Sequence, residues 1–290
     1  MPEERAPFAP NTGTGRSGVD PNGAPGGDTG AGTVAPPGGP PQTCRVTTTS
    51  SPGGEDLRAV LGRAEAVLLD FDGPLCDLFG GTCTAGIADE IKERARREWG
   101  RLDPPVESCA DSHGILLRLA DMAARRGGPG PIRLDWADAI VTRHEYAAVH
   151  RAVATPGARR LVDALRSAGK TLLVVTNNAE GPVREYLERR DLLGHFTAVY
   201  GRDPHDPRLM KPHPGVVGRA LAALGGTAPS RTLLIGDQLT DLAAARAAGV
   251  PFLGFTRHPE RAERMRRLGA RGVVGSYPPV LRELSAQRVG

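Results

Sequence analysis

Two aspartates separated by one residue, in Asp70-Phe71-Asp72-Gly73, follow the short apolar run 67–69. Residues i and i+2 of an extended chain point to the same side, so both carboxylates would emerge together, and Gly73 would let the chain turn behind them. Two carboxylates this close repel each other unless a cation or a shared proton compensates. The pair is therefore suited to catalysis or metal binding, although the same pattern alone also occurs in turns and helix caps.

A second acidic motif, Gly236-Asp237-Gln238-Leu239-Thr240-Asp241, follows the apolar run 233–235. Asp237 would lie at the tip of a strand and Asp241 in the first turn of the next helix. Together with Asp70 they would supply hard oxygen ligands of the kind that Mg²⁺ prefers. Asp241 could instead only complement the helix dipole, but this alternative does not explain why Asp237 and Asp70 each end a strand. We therefore predict a Mg²⁺ site here.

A third strand pattern ends in Thr176-Asn177-Asn178, and Lys211-Pro212 lies in a loop further along the chain. A hydroxyl at a strand end, followed by main-chain amides at a helix start, is suited to binding a phosphate oxygen. Lysine is a point charge that can balance an anion or keep a nucleophilic carboxylate ionised. Each feature alone is common, but their order together with the acidic motifs predicts a phosphate-binding site made by Thr176, Asn177 and Lys211.

The elements that must position these side chains alternate regularly between strands and helices. Short apolar runs bounded by turn residues are typical of strands buried on both faces of a parallel sheet, and Gly ends several of the helical segments. The alternation predicts an α/β fold with a doubly wound parallel sheet. The stronger strand candidates are 67–69, 172–175 and 233–235, the weaker ones are 197–200, 251–255 and 272–274, and the helices are 157–168, 180–190, 214–224 and 239–248.

A helical segment interrupts this alternation after the first strand, with patterns at 84–98, 111–126 and 133–150. We predict a helical cap over residues 77–155, inserted into a core formed by 56–76 and 156–290. Doubly wound sheets bind ligands at the carboxyl ends of their strands, so the cap would cover the site. Its polar residues are typical of surface or helix-packing positions. We assign none of them to the site: His113, Arg118, His144, Glu145, Tyr146 and His150.

Four motifs in this order resemble those of the haloacid dehalogenase-like hydrolase superfamily, and the resemblance covers nearly all of residues 65–285. The helices inserted after the first motif resemble the cap of its phosphoglycolate-phosphatase-like branch. Pro74 departs from the family pattern, because Thr is usual there and the turn loses a hydroxyl and an N–H. The matching motifs are Asp70-Phe71-Asp72-Gly73, Thr176, Lys211-Pro212 and Gly236-Asp237-x-x-x-Asp241.

The resemblance implies a role for each motif. Asp70 would attack phosphorus, and Asp72 would act first as a general acid and then as a base. Thr176 and Lys211 would bind the phosphoryl group. Asp72 also argues against a dehalogenase, which needs no proton donor to an alkoxide. The implied Mg²⁺ ligands are the carboxylates of Asp70, Asp237 and Asp241 and the main-chain carbonyl of Asp72.

We predict a cytoplasmic, Mg²⁺-dependent phosphatase that hydrolyses a small phosphorylated metabolite through an aspartyl-phosphate intermediate. Hydrolysis of phosphate monoesters is among the slowest uncatalysed reactions, and a carboxylate nucleophile divides it into two easier steps. Two alternatives stay open at this point: phosphomutase-type phosphoryl transfer, and a non-catalytic binding or regulatory module that keeps the fold. The oligomeric state is open as well.

Composition argues against several other classes of protein. The chain has 39% hydrophobic residues and a net charge of +4, and it lacks an apolar run of about 18 residues, so no membrane partner is predicted. Residues 1–55 hold 10 Pro and 12 Gly, which predicts a disordered leader without the features of a secretory signal. The Arg-rich stretch 261–271 has the pattern of an amphipathic helix, so we predict no nucleic-acid partner. The four cysteines are expected to be free thiols.

Overall fold

The computed structural model describes residues 56–80, 83–127 and 134–287, so the predicted leader 1–55 lies outside the described residues. Within these ranges the strands are β1 (Ala66–Leu69), β2 (Cys76–Asp77), β3 (Val153–Ala154), β4 (Thr171–Val175), β5 (Ala198–Tyr200), β6 (Thr232–Gly236), β7 (Phe252–Phe255) and β8 (Gly272–Val274). The helices are α1 (Leu57–Arg63), α2 (Ala85–Trp99), α3 (Pro104–Glu107), α4 (Ser112–Arg126), α5 (Asp135–Val149), α6 (Ala158–Ser167), α7 (Glu180–Arg189), α8 (Gly215–Ala223), α9 (Leu239–Ala247), α10 (Pro259–Arg267) and α11 (Pro278–Ala286).

Six parallel strands form the main sheet in the order β5-β4-β1-β6-β7-β8. Strand β1 lies between β4 and β6, and its Leu69 pairs with Val174 on one side and Ile235 on the other. The strand order reverses direction at β1, as it does in a doubly wound sheet. The prediction of an α/β fold with a doubly wound parallel sheet is confirmed.

The continuously apolar strands are explained by burial on both faces of the sheet. Alternate residues of a strand point to opposite faces, and Val67 and Leu69 pack in one hydrophobic cluster while Leu68 packs in another. The first cluster includes residues of α1, α6, α7 and α11, and the second includes residues of α8, α9 and α10. This two-sided cover holds the strand ends, and the side chains that follow them, at one rigid edge.

The predicted helical cap is confirmed as an insertion between β2 and β3, which pair as a short antiparallel ladder. Helices α2, α4 and α5 enclose a separate hydrophobic cluster that includes Ile91, Ile115 and Val141. The domain limits 77–155 stay a prediction. None of the helices in the described part of the chain has both the length and the apolar character required to cross a bilayer.

Candidate active site

Three carboxylates meet at the edge of the sheet where β1 and β6 end. Asp70 follows β1, Asp237 follows β6, and Asp241 lies in the first turn of α9. One oxygen atom from each side chain lies within 4.8 Å of the others. Asp70 and Asp241 are buried, and Asp237 is partly buried. The predicted convergence of these residues is thus present in the structure.

Two glycines allow the backbone to approach these carboxylates. Gly73 has a φ of +95°, and a Cβ atom there would lie 2.5 Å from Cγ of Asp237. A Cβ atom on Gly236 would lie 2.5 Å from Oδ2 of Asp241. Any larger residue would displace a carboxylate of the cluster, so the glycines in the first and last motifs are required by close packing.

Lys211 is the buried cation of this cluster. Its Nζ lies 2.9 Å from Oδ1 of Asp70 and 2.6 Å from Oδ1 of Asp241, and it donates to the main-chain oxygen of Val175 at 3.1 Å. Burial alone would lower the pKa of Lys211, but the charges of Asp241 and Asp70 outweigh it and raise that pKa. The lysine therefore stays charged between two acids.

One lysine does not balance three carboxylates. Burial and the charges of Asp70 and Asp241 raise the pKa of Asp237 to about 8. Burial and Asp241 likewise raise the pKa of Asp70, against the opposing effect of Lys211. Oδ1 of Asp241 is buried and shares the ammonium group of Lys211 with Asp70. A set of hard oxygen donors with uncompensated negative charge fits a divalent cation such as Mg²⁺.

Asp241 caps helix α9 and also belongs to the carboxylate cluster, and its role as a Mg²⁺ ligand stays a prediction. Its Oδ2 accepts a hydrogen bond from the main-chain N–H of Gln238 at 2.9 Å, which completes a capping box at the start of α9. Its Oδ1 faces Lys211. The helix cap therefore fixes the orientation in which the carboxylate joins the cluster.

Asp72 lies apart from the three clustered carboxylates. Its Oδ1 accepts a hydrogen bond from the N–H of Leu78 at 2.9 Å, and its main chain bridges to Cys76. Burial raises the pKa of Asp72. A carboxyl group that retains its proton more readily is suited to donating it. The role of Asp72 as acid and base stays a prediction.

Thr176 and Asn177 follow β4, directly beside β1. The Thr176 hydroxyl is buried, donates to Oδ1 of Asn178 at 2.9 Å and accepts from the N–H of Asn178 at 3.2 Å. Asn177 exchanges hydrogen bonds with the main chain of Lys211, donating from Nδ2 at 3.0 Å and accepting at Oδ1 at 2.8 Å. Its side chain therefore holds the lysine loop, and phosphate binding by these residues stays a prediction.

Pro74 lacks the hydroxyl and the main-chain N–H of the Thr that is usual at this position, and other groups stabilise the turn instead. The N–H of Gly73 donates to the carbonyl of Cys76 at 2.7 Å. Tyr277 donates its hydroxyl to the carbonyl of Pro74 at 2.7 Å, and Thr155 donates its hydroxyl to the carbonyl of Gly73 at 2.6 Å. Side chains from two distant segments thus stabilise the loop behind Asp70.

Sequence reasoning missed a buried polar network beside the site, centred on Glu145 of the cap and Arg202 of the core. Arg202 Nη1 lies 2.7 Å from Oε1 of Glu145, and both side chains are almost fully buried. One signal could have indicated it. Glu145 lies four residues after the buried Val141 and three before the buried Ala148, and so on the apolar face of α5. The prediction that such cap residues have packing roles is consistent with this burial.

A parallel sheet that carries an acidic cluster at its switch point, below an inserted helical cap, defines a capped α/β hydrolase. A family model described as haloacid dehalogenase-like hydrolase matches residues 64–249. The chain belongs to this family.

Curated relatives support the same assignment. The chain is 32% identical over 211 residues to a phosphoglycolate phosphatase of Rhodospirillum rubrum, a match that covers 67% of this chain and 82% of that protein. A phosphoglycolate phosphatase of Escherichia coli is 39% identical over 93 residues, which cover 32% of this chain and 36% of that protein. The chain is a hydrolase of the phosphatase type.

Solved structures show the same fold at lower sequence identity. A predicted phosphatase from Clostridium acetobutylicum aligns with a TM-score of 0.54 and 20% identity, over 77% of this chain and 99% of its own. CbbY from Rhodobacter sphaeroides, solved in complex with phosphate, aligns with a TM-score of 0.52 and 23% identity, again over 77% of this chain and 99% of its own. These similarities support the capped α/β architecture.

Proposed function

We propose that this enzyme is a Mg²⁺-dependent phosphatase that hydrolyses a small phosphorylated metabolite through an aspartyl-phosphate intermediate. The observation that carries the proposal is the fixed carboxylate of Asp70 at the end of β1. Its Oδ1 accepts a hydrogen bond from the N–H of Phe71 at 2.8 Å and lies 2.9 Å from Nζ of Lys211. A carboxylate oriented by a cation and a main-chain amide is suited to nucleophilic attack.

The reaction would proceed in two steps. Asp70 forms a bond to phosphorus as the bond to the leaving alkoxide breaks, and Asp72 donates a proton to that alkoxide. Asp72 then takes a proton from a water molecule as the oxygen of that water attacks phosphorus. The bond between Asp70 and phosphorus breaks, which releases inorganic phosphate and restores the Asp70 carboxylate.

The residues for phosphate and metal binding would support both steps. Thr176, Asn177 and Lys211 would bind the phosphoryl group. Asp70, Asp237, Asp241 and the carbonyl of Asp72 would hold Mg²⁺, which when bound offsets negative charge on the phosphoryl oxygens.

Phosphorylated carboxylic acids of the phosphoglycolate class are the proposed substrates. The support is the match to the Rhodospirillum rubrum phosphoglycolate phosphatase, which extends over 82% of that protein. The cap is proposed to select the leaving group, because it is inserted beside the carboxyl ends of the strands that carry the acidic cluster. We further propose a cytoplasmic location, since the cysteines of the described part, Cys76, Cys83 and Cys109, are free thiols.

A phosphate-release assay across a panel of phosphorylated metabolites tests this proposal. We expect turnover with Mg²⁺ and no added acceptor, the highest kcat/KM on small phosphorylated carboxylic acids, and loss of activity in EDTA and in Asp70→Asn. Activity that requires a sugar acceptor would favour phosphoryl transfer instead. Absence of turnover on every member of the panel would favour a binding module.

A further inference from the structure

A buried ion pair joins the cap to the core directly beside the predicted phosphate-binding loop. Glu145 belongs to cap helix α5, and Arg202 follows β5 in the core. Arg202 Nη1 contacts Oε1 of Glu145 at 2.7 Å and Oε2 at 2.9 Å. The exposed fractions of the two side chains are 0% for Glu145 and 1% for Arg202. Both groups are therefore shielded from water, where electrostatic interactions are stronger and a hydrogen-bond donor without an acceptor is costly.

This ion pair contacts three consecutive residues of the loop after β4. Asn178 donates from Nδ2 to Oε1 of Glu145 at 2.9 Å, and the N–H of Ala179 donates to Oε2 at 3.0 Å. Arg202 donates from Nη1 to the carbonyl of Asn177 at 3.2 Å. The loop that follows Thr176 is therefore held by one side chain from the cap and one from the core.

The charge state of Glu145 determines which way the Asn178 amide faces. Burial alone would raise the pKa of Glu145, but the charge of Arg202 and the hydrogen bonds from His113 and Ala179 outweigh it and lower that pKa to about 2. An ionised carboxylate only accepts hydrogen bonds. Asn178 must therefore present its NH₂ group to Glu145.

The other end of the same amide then faces Thr176. Oδ1 of Asn178 accepts the hydroxyl proton of Thr176 at 2.9 Å, and the N–H of Asn178 donates to the same hydroxyl oxygen at 3.2 Å. Asn178 thus holds this buried hydroxyl at two points: its N–H fixes the oxygen, and its Oδ1 takes the single proton until a phosphoryl oxygen accepts that proton instead. The orientation of the amide, and with it the rotamer of Thr176, follows from a carboxylate in the cap.

We propose that Glu145 is a positioning residue that acts through Asn178 to fix the Thr176 hydroxyl and the phosphate-binding loop, so that the cap helix helps to set the geometry of the phosphate site. This role of Glu145 takes one assumption from the proposed function, namely that Thr176 contacts the phosphoryl group. A buried ion pair is a weak source of stability compared with apolar packing of similar volume. A role in orientation explains why the pair is placed against this loop.

Two variants and a matched control test the inference. Glu145→Gln keeps the shape of the side chain but can donate as well as accept, so the Asn178 amide loses its fixed orientation. Asn178→Ala removes the relay and leaves the ion pair in place, which keeps the test valid if Glu145→Gln folds poorly. Asp138→Asn is the control, because Asp138 lies on the same helix and accepts hydrogen bonds from the same Arg202, and its other side-chain contact is with Thr142 and not with the loop after β4.

The measurements are the Kd of inorganic phosphate in the presence of Mg²⁺, by titration calorimetry, together with KM, kcat and the melting temperature. We expect Glu145→Gln and Asn178→Ala each to raise the phosphate Kd and KM about fivefold to tenfold, the effect of one net hydrogen bond, and to change kcat less than about threefold. The phosphate Kd and KM of the double variant should be no higher than those of either single variant. Asp138→Asn should lower the melting temperature and change Kd by less than about twofold.

Other results would overturn the inference or separate it from the proposed function. Phosphate Kd values within about twofold of the wild type in both test variants would overturn it, as would additive effects in the double variant. A melting-temperature loss in Glu145→Gln with unchanged Kd and KM would reduce Glu145 to a structural residue and also overturn it. A wild-type protein that binds phosphate but hydrolyses no substrate would contradict the proposed function, and the comparison of Kd values would still decide the role of Glu145.

Discussion

The ammonium group of Lys211 lies 2.9 Å from the carboxylate of Asp70, although Lys211 comes from the loop after β5 and Asp70 from the end of β1. The same Nζ is also 2.6 Å from Asp241. Lys211 therefore opposes the burial and the charge of Asp241, which together raise the pKa of the predicted nucleophile Asp70.

Replacing Lys211 by methionine should remove most of the activity. Lys211→Met leaves Asp70 beside two other acids without its cation, so its pKa rises further and the nucleophile is lost as a carboxylate. We expect kcat/KM to fall by at least about 10²-fold. Lys170→Met is the matched control, since the ammonium group of Lys170 donates to the main-chain oxygen of Ala64, away from the carboxylate cluster. Equal activity losses in the two variants would contradict this role for Lys211.

Magnesium should stabilise the folded protein through the three-carboxylate cluster. A ligand that binds only the native state at about 100 times its Kd adds about 2.7 kcal/mol to the free energy of unfolding. We expect a clear rise in melting temperature on adding Mg²⁺ to the wild type and a much smaller rise in Asp237→Asn. Glu263→Gln, at an exposed position on α10, should respond like the wild type. A shift of the same size in Asp237→Asn would exclude Asp237 as a ligand.

Adding a methyl group at Gly73 should disturb the site more than the fold. Gly73 and Gly80 both have positive φ, +95° and +62°, but only Gly73 has a neighbour within reach of a Cβ atom, namely Asp237. Each Gly→Ala change should cost about 1 kcal/mol of stability from the backbone conformation. Only Gly73→Ala should also lower kcat/KM and weaken Mg²⁺ binding. Retention of full activity in Gly73→Ala would show that Asp237 can move without consequence.

The ion pair of Glu145 predicts a pH dependence of stability. The pKa of Glu145 is lowered in the folded state from its ordinary value of 4.5 to about 2. The stabilisation by the carboxylate is therefore fully present above the unfolded value and lost as pH falls through the folded one.

Urea unfolding of the wild type and of Glu145→Gln tests the direction of this pH dependence. The difference between their unfolding free energies, expected to be about 3–5 kcal/mol for a broken buried pair, should be constant between about pH 7 and about pH 5.5 and should shrink towards about pH 3.5. A difference that widens on acidification would contradict the assigned direction of the pKa shift.

The sheet and the acidic cluster could be predicted because their signals are local. Runs such as 172–175 are too short and too apolar for anything but buried strands, and Asp70, Thr176 and Asp237 each follow such a strand. The convergence of Asp70, Asp237 and Asp241 then follows from the parallel arrangement of strands. The structure contains all of the predicted strands, with ends that differ by at most one residue.

The remaining features depend on contacts between distant segments. The ladder of β2 and β3 has two residues on each side, too few for any periodic pattern. The sequence analysis does not predict helix α11. Tyr277, which precedes this helix, is held by distant residues: its ring centroid lies 4.5 Å from that of Phe255, and its hydroxyl donates to the carbonyl of Pro74. Glu145 has the sequence surroundings of a packing residue, and only the position of Arg202 in space reveals its ion pair. The spacing of residues along the sequence does not indicate which distant residue forms such a contact.

The two aspartates of the first motif should differ in function although their chemistry is the same. Asp70→Asn removes the nucleophile, so no phosphoenzyme should form with any substrate. Asp72→Asn retains the nucleophile and the three clustered carboxylates, and only proton transfer is lost. General acid–base catalysis typically contributes about 10²–10⁴-fold, and its loss should depend on how strongly the leaving group needs a proton.

Single-turnover trapping of the phosphoenzyme is the most direct test of this account. With Asp72→Asn, we expect phosphoenzyme formation to slow strongly on an alkyl phosphate, whose alkoxide needs a proton, and much less on an activated aryl phosphate. With Asp70→Asn, neither substrate should yield a phosphoenzyme. Equal slowing of Asp72→Asn on the two substrates, or a phosphoenzyme that persists in Asp70→Asn, would contradict the assignment of Asp70 as nucleophile and Asp72 as acid.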